Sequence, residues 1–184
     1  MNTVFDIETD GLDPTLIHVL SWSNDFGEVK STHDYDEMRY VLLNSPTLIG
    51  HNIIRYDVPV VEKLLGIKIT ARIVDTLALS WYINHNRGMS HGLATFGEDY
   101  GIPKPKIDDW EGLTPEEYKH RCEEDVKINN RLWRDLDIKI AKLYGKSTED
   151  CERMIDYLTF KMQCAADQET LQWKLDVVKA KCHL

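Results

Sequence analysis

The spacing of apolar and polar residues changes period along the chain. TVFDIE (3–8) alternates with a period of two and is rich in β-branched and aromatic residues, which predicts a strand. IHVLSWS (17–23) is a second apolar run and EVKSTH (28–33) a third, solvated one, with Asp25 and Gly27 in the turn between them. DYDEMRYVLLN (34–44) then sets Met38, Val41 and Leu42 at helical spacing, and Pro46 closes the segment. TLIGHN (47–52) predicts a short buried strand. DVPVVEKLLG (57–66) predicts a helix with Asp57 at its start, Pro59 in its first turn and Gly66 at its end. ITARIV (69–74) follows as a strand and TLALSWYIN (76–84) as a helix.

The second half reads as helical. NHNRGMSHG (84–92) is a polar loop, LATFGEDYG (93–101) a helix ended by Gly101, and PKPKIDDWEGL (103–113) irregular. Thr114-Pro115-Glu116-Glu117 combines a capping box with proline in the first turn, so a helix starts there and runs to Tyr144. Gly145 stops it. Ser147 or Thr148 restarts a helix whose stripe is Cys151, Met154/Ile155, Leu158, Met162 and Ala165/Ala166. Strands then helices in this order predict an α/β fold, a mixed sheet of about five strands flanked by helices with a C-terminal helical extension. The expected division is residues 1–145 as the main domain and 146–184 as the extension.

Composition narrows the class. The 184 residues suit one compact domain, and 42% apolar with 29% charged residues favours a buried core over disorder. No apolar run approaches the length of a membrane span. MNTVFDIETDGL has no basic-then-apolar leader, so a cytoplasmic location is expected, that of a host cell if the gene is a phage's. Cys122, Cys151, Cys164 and Cys182 lack metal-binding spacing and are expected as reduced thiols. A net charge of -9 argues against a generic nucleic-acid coat but not against an enzyme that brings its own cations to a phosphodiester.

The informative residues are acidic. Asp6 and Glu8 stand two apart on the first strand, so both side chains share one face. Like charges about 7 Å apart along a strand raise each other's pKa, and a hard divalent cation relieves them. A solvated strand end would need no ion. Asp57 opens a helix, where the dipole favours a carboxylate whatever its function. Asp125 lies near the core-facing stripe of its helix, with Glu123 and Glu124 beside it as members of a charged face.

Together these elements resemble the DEDD superfamily of 3′→5′ exonucleases, which has a ribonuclease-H-like fold. The wording is most similar to the proofreading domains of family A DNA polymerases from short-tailed phages. VFDIETDGL, GHNIIRYDVPVVEKL, IVDTLALSWYI, SHGLATFGEDYGIPK and CEEDVKINNRLW carry the resemblance, over residues 3 to about 135 in order. It implies that Asp6, Glu8, Asp57 and Asp125 hold two divalent metals, Mg²⁺ or Mn²⁺, and hydrolyse 3′ ends of single-stranded DNA. An RNA-trimming enzyme of the same superfamily and a non-catalytic nucleic-acid or polymerase-binding module are the alternatives.

The superfamily places either Tyr four residues before the last Asp or His five before it, to orient the attacking water. Here Arg121 stands four before Asp125 and His120 five before. Histidine titrates near neutrality, so His120 is the expected general base, with Arg121 its rival as a phosphate contact. In an unbroken helix, however, five residues back is rotated about 140° from Asp125. The resemblance further puts backbone of Ile7 and Thr9 beside the metals and the terminal nucleotide near Thr9 and Leu12. Asn52, Tyr56 and His91 are substrate candidates, with Tyr56 equally readable as core and His91 as a helix cap. Arg55, Arg87, Lys104, Lys106 and Lys119 are candidate phosphate contacts, and Asp75 reads best as a cap for the helix at 76. QETLQWKLDVVKAKCHL (168–184) is similar to the entry into a polymerase region, which makes a DNA polymerase the expected partner.

Overall fold

The computed structural model describes residues 2–105, 112–172 and 176–182. Five strands form one sheet in the order β3-β2-β1-β4-β5. β1 (Asn2–Thr9), β2 (Ile17–Asn24) and β3 (Lys30–Thr32) make an antiparallel meander. β4 (Thr47–Gly50) lies parallel to β1, and β5 (Arg72–Asp75) parallel to β4. The chain therefore returns after β3 to lay β4 against the free edge of β1. The carboxyl ends of β1, β4 and β5 share one edge of the sheet, where open α/β folds place their sites.

Period-two alternation sorts β1 between two cores. Phe5 and Ile7 face α1 (Tyr35–Asn44) and α2 (Asp57–Leu65), packing with Leu20, Trp22, Met38, Leu42, Leu48 and Val61. Val4 faces the other way, into a core with Ile49 and Val74 of the sheet. That core is completed by α3 (Thr76–Ile83), α4 (Leu93–Tyr100), α5 (Pro115–Leu143) and α6 (Thr148–Leu171). A short α7 (Val177–Lys181) follows. This is the mixed five-stranded sheet flanked by helices, with a C-terminal helix, of a ribonuclease-H-like fold.

Helix α5 spans 29 residues, about 43 Å at 1.5 Å per residue. Thr114 accepts from the Glu117 N–H while the Glu117 carboxylate accepts from the Thr114 N–H, and Pro115 occupies the first turn, where no N–H is needed. Ile155 and Leu158 of α6 join the same core as Leu136 and Ile140, so the first half of α6 packs on the sheet domain. No helix among the described residues is long and apolar enough to cross a membrane.

Three strands are shorter than the pattern predicts: β3 keeps only Lys30–Thr32 of the run 28–33, and β4 and β5 are cut short by side-chain and turn contacts. β5 begins at Arg72 rather than Ile69, because the Ile69 N–H donates to the Glu62 carboxylate at 2.9 Å and leaves the ladder. β4 ends at Gly50, since Asn52 takes a left-handed conformation (φ 66°) and turns the chain. A Cβ at Gly50 would stand 1.7 Å from Ile53 Cγ2, so this turn needs glycine.

Candidate metal and nucleic-acid site

Asp6 and Glu8 stand on the α5 face of β1, and Asp125 meets them from the buried side of α5. One carboxylate oxygen from each lies within 4.8 Å of the others. Asp57, the first residue of α2, is buried and accepts from the Ile7 N–H, close enough to repel Asp6 and Glu8; it stands outside the 4.8 Å group. The Ile7 backbone thus ties the two arms of the site together.

Asp75 makes that approach possible. Its Oδ1 accepts from the Asn52 N–H at 3.0 Å and from the Leu77 N–H at 2.9 Å, and its Oδ2 from the Ile54 N–H at 3.3 Å. It caps α3 and pins the turn that leads into Asp57. Asn52 is held by this turn, and its side-chain Oδ1 is buried without a hydrogen-bond partner among the described residues.

The electrostatics are those of crowded acids. Burial pushes the Asp6 carboxyl well above the usual range, reinforced by Asp125, Asp57 and Glu8. Burial also raises Asp57, to about 7. Glu8 and Asp125 are raised by burial as well, and cations oppose the shift: Arg121 beside Glu8, Lys104 beside Asp125. Arg121 Nε lies 2.8 Å from Glu8 Oε1, and its Nη1 donates to Pro105 O at 3.0 Å. The Lys104 ammonium pairs with Asp125 Oδ2. Asp125 Oδ1 is buried with no hydrogen-bond partner among the described residues. Clustered hard oxygens with one buried lone oxygen fit Mg²⁺ or Mn²⁺, and no soft donor sits among the three clustered ligands.

A cleft of about 760 Å³ opens beside Glu8, lined by Thr9, Gly11, Leu12, His18, Tyr56, Leu113 and Tyr118 among others. Leu12 is 94% exposed at its rim. Tyr56 Oη donates to Gly11 O at 2.6 Å and lies against the Thr9 hydroxyl, so its phenol helps shape the cleft. His18 and Tyr118 stack with ring centroids 4.0 Å apart. Apolar rim, aromatic wall and adjacent acids make a surface suited to one end of a nucleic-acid strand.

The other anticipated residues divide. His120 sits in the uninterrupted α5; its side chain is 64% exposed and its Nδ1 lies 4.0 Å from Glu124, so the helix turns it away from the carboxylates. Arg121, one residue on, takes the inward position. His91 is buried, with Nδ1 2.6 Å from Ser80 Oγ and its ring on Trp81. Arg55 pairs with Glu169 and Arg87 with Asp99, whereas Lys104 turns inward to Asp125. Lys106 lies outside the described residues. Glu123 accepts from Ser31 and Glu124 pairs with Lys127, and neither joins the group formed by Asp6, Glu8 and Asp125. Cys122 was not anticipated: its thiol is fully buried and donates to Asp6 O at 3.3 Å, one turn before Asp125. In the sequence, its signal is its place on α5 three residues before Asp125.

No family model matches the chain, and no curated protein does either. Solved structures do. Brucella melitensis NrnC with bound Mg²⁺ superposes with a TM-score of 0.65 at 20% identity, over 96% of this chain and 89% of that one. Escherichia coli RNase D, an exoribonuclease involved in structured RNA processing, gives 0.58 at 16% identity, over 88% of this chain and 45% of that one. Exonuclease X in complex with 5′ overhanging duplex DNA gives 0.52 at 13%, over 86% and 99%. The chain has the fold of these three proteins.

Proposed function

We propose that the protein is a divalent-metal-dependent 3′→5′ exonuclease that removes nucleoside 5′-monophosphates from single-stranded DNA ends. The observation that carries this reading is the meeting of Asp6, Glu8 and Asp125, with Asp57 behind them, at the carboxyl edge of a sheet whose fold is shared with RNase D and Exonuclease X. Asp6, Glu8, Asp57 and Asp125 would hold the metals. When bound, a pair of divalent cations lowers the pKa of an attacking water and neutralises the leaving 3′-oxygen. Hydrolysis forms a bond from water oxygen to phosphorus, breaks the bond to O3′ and leaves a new 3′-hydroxyl.

The chain's own groups supply the rest. Arg121 cannot serve as a base, but its guanidinium, held beside Glu8, would oppose charge developing on the scissile phosphate; the pairing of its Nε with Glu8 supports this role. The water-orienting role expected of His120 has no support in the direction of its side chain. Leu12 and the His18–Tyr118 stack offer apolar faces to the terminal base, and Thr9 and Tyr56 offer polar atoms to its sugar and phosphate; Asn52, an expected substrate contact, is not among the residues that line the cleft. Residues 146–184 are proposed as a helical extension toward a polymerase; the exposed Tyr157, Phe160 and Leu171 of α6 support that part.

RNA is the second reading. It is favoured by the fold shared with RNase D and with NrnC bound to pGG, which superposes with a TM-score of 0.65. Incubation of 5′-labelled single-stranded DNA and RNA with Mg²⁺, Mn²⁺ or EDTA decides between them. Shortening of DNA from the 3′ end with metal supports the first reading, and faster shortening of RNA the second. Binding without shortening would leave a non-catalytic binding module.

A further inference from the structure

Lys104 stands out among the lysines because its ammonium is turned inward and its backbone is fastened on both sides. Gly101 ends α4 in the left-handed region (φ 68°), and the Ile102 N–H donates back to Gly97 O at 2.8 Å. Gly97 permits that return: a Cβ there would stand 2.4 Å from Ile102 O. Prolines 103 and 105 flank the lysine and restrict its backbone, and Arg121 grips the Pro105 carbonyl at 3.0 Å. The ammonium at the end of this strap pairs with Asp125 Oδ2 while Asp125 Oδ1 lacks a hydrogen-bond partner among the described residues. The Lys104 side chain is 21% exposed and that of Asp125 only 4%, so little water screens the pair.

We propose that Lys104 is a tethered counter-cation that competes with the metal for Asp125 and is released when the metal binds. The inference rests on the nuclease reading above. Among the described residues, four carboxylates face two protein cations here, Lys104 and Arg121. Without them the acids would repel one another in a site that cannot hydrate them fully. A divalent ion reaching Asp125 meets an ammonium already in place, and the two positive charges cannot share one buried carboxylate without cost. The displaced ammonium then has a new anion within reach when a strand arrives, namely a phosphate. Metal binding and nucleic-acid binding are thereby coupled through one side chain, and the coupling acts equally in both directions.

The test reads Lys104 directly in the intact protein. Trace acetylation followed by mass spectrometry compares each lysine in EDTA and in saturating Mg²⁺, without nucleic acid. Lys104 labelling rises several-fold with Mg²⁺, while Lys68, whose side chain is 80% exposed, stays constant. A second measurement follows free Mn²⁺ by electron paramagnetic resonance. If the lysine holds Asp125 about four-fifths of the time, Lys104→Met tightens the Mn²⁺ dissociation constant about fivefold, and Lys104→Arg leaves it within about twofold. Unchanged Lys104 labelling in a protein whose melting temperature rises with Mg²⁺ overturns the inference alone. So does weaker Mn²⁺ binding in a folded Lys104→Met. A wild-type protein that binds neither ion overturns the nuclease reading itself.

Discussion

Without metal, the site should make the protein less stable as the pH rises toward neutrality, and Asp57→Asn should remove a large part of that loss. Asp57 is buried at the first turn of α2, and its carboxyl is pushed from 3.8 to about 7, chiefly by burial and then by Asp75 and Glu8. The folded pKa lies above the unfolded one. Between the two values the folded chain keeps a proton that the unfolded chain has released, so stability falls through that window and the full penalty is present above about pH 7. Three units at 1.36 kcal/mol each put the loss at about 4 kcal/mol, a large fraction of the stability of a typical domain. Asp6, Glu8 and Asp125 are shifted in the same direction and steepen the slope. An asparagine at 57 cannot ionise and removes one contribution. The assay is urea unfolding in EDTA at about pH 5 and about pH 7.5, followed by fluorescence of the five tryptophans. Parallel pH profiles for wild type and Asp57→Asn would refute the reasoning, as would a wild type that gains stability across this range.

Other outcomes follow from the same geometry. Arg121→Met should lower the rate of 3′-end hydrolysis by about 10²–10³ as measured by single-turnover cleavage, if the guanidinium opposes charge in the transition state. His120→Ala should stay within about twofold of wild type in that assay, because its ring faces solvent and Glu124. Saturating Mg²⁺ at about 100 times its dissociation constant should stabilise the wild type by about 2.7 kcal/mol in thermal melts, with little effect on Asp125→Asn. Gly97→Ala should cost about 1–3 kcal/mol in urea unfolding, since the new methyl group meets the Ile102 carbonyl at 2.4 Å and Ile128 Cδ1 at 2.9 Å.

Local periodicity carried a good part of this structure. The period-two reading of residues 3–8 already put Asp6 and Glu8 on one face, and β1 turns that face to α5. Thr114 to Glu117 marks the start of α5, and the period of that unbroken helix turns position 120 away from Asp125 and keeps 121 inward, against the expectation of His120 as the general base. Asp75 behaves as the cap its place before α3 suggested. What was hidden depends on chain reversals. Lys104 looks like any loop lysine until Gly101 and the Gly97–Ile102 contact fold its segment back over α5. His91 follows a polar loop and reads as a substrate contact or a helix cap, yet Trp81 and Ser80, some ten residues earlier, enclose it. The short β5 has the same origin, a Glu62 side chain taking a backbone donor that local propensity assigned to the sheet.

Catalysis at this site requires that Asp6, Glu8 and Asp125 ligate a divalent ion. Anomalous scattering from crystals soaked in Mn²⁺ measures this without reference to activity. A peak among those three carboxylates, at roughly the 2.1 Å expected of oxygen ligands to such an ion, is the predicted result. Saturated crystals with no density there, or with manganese only at other surface acids, would contradict it.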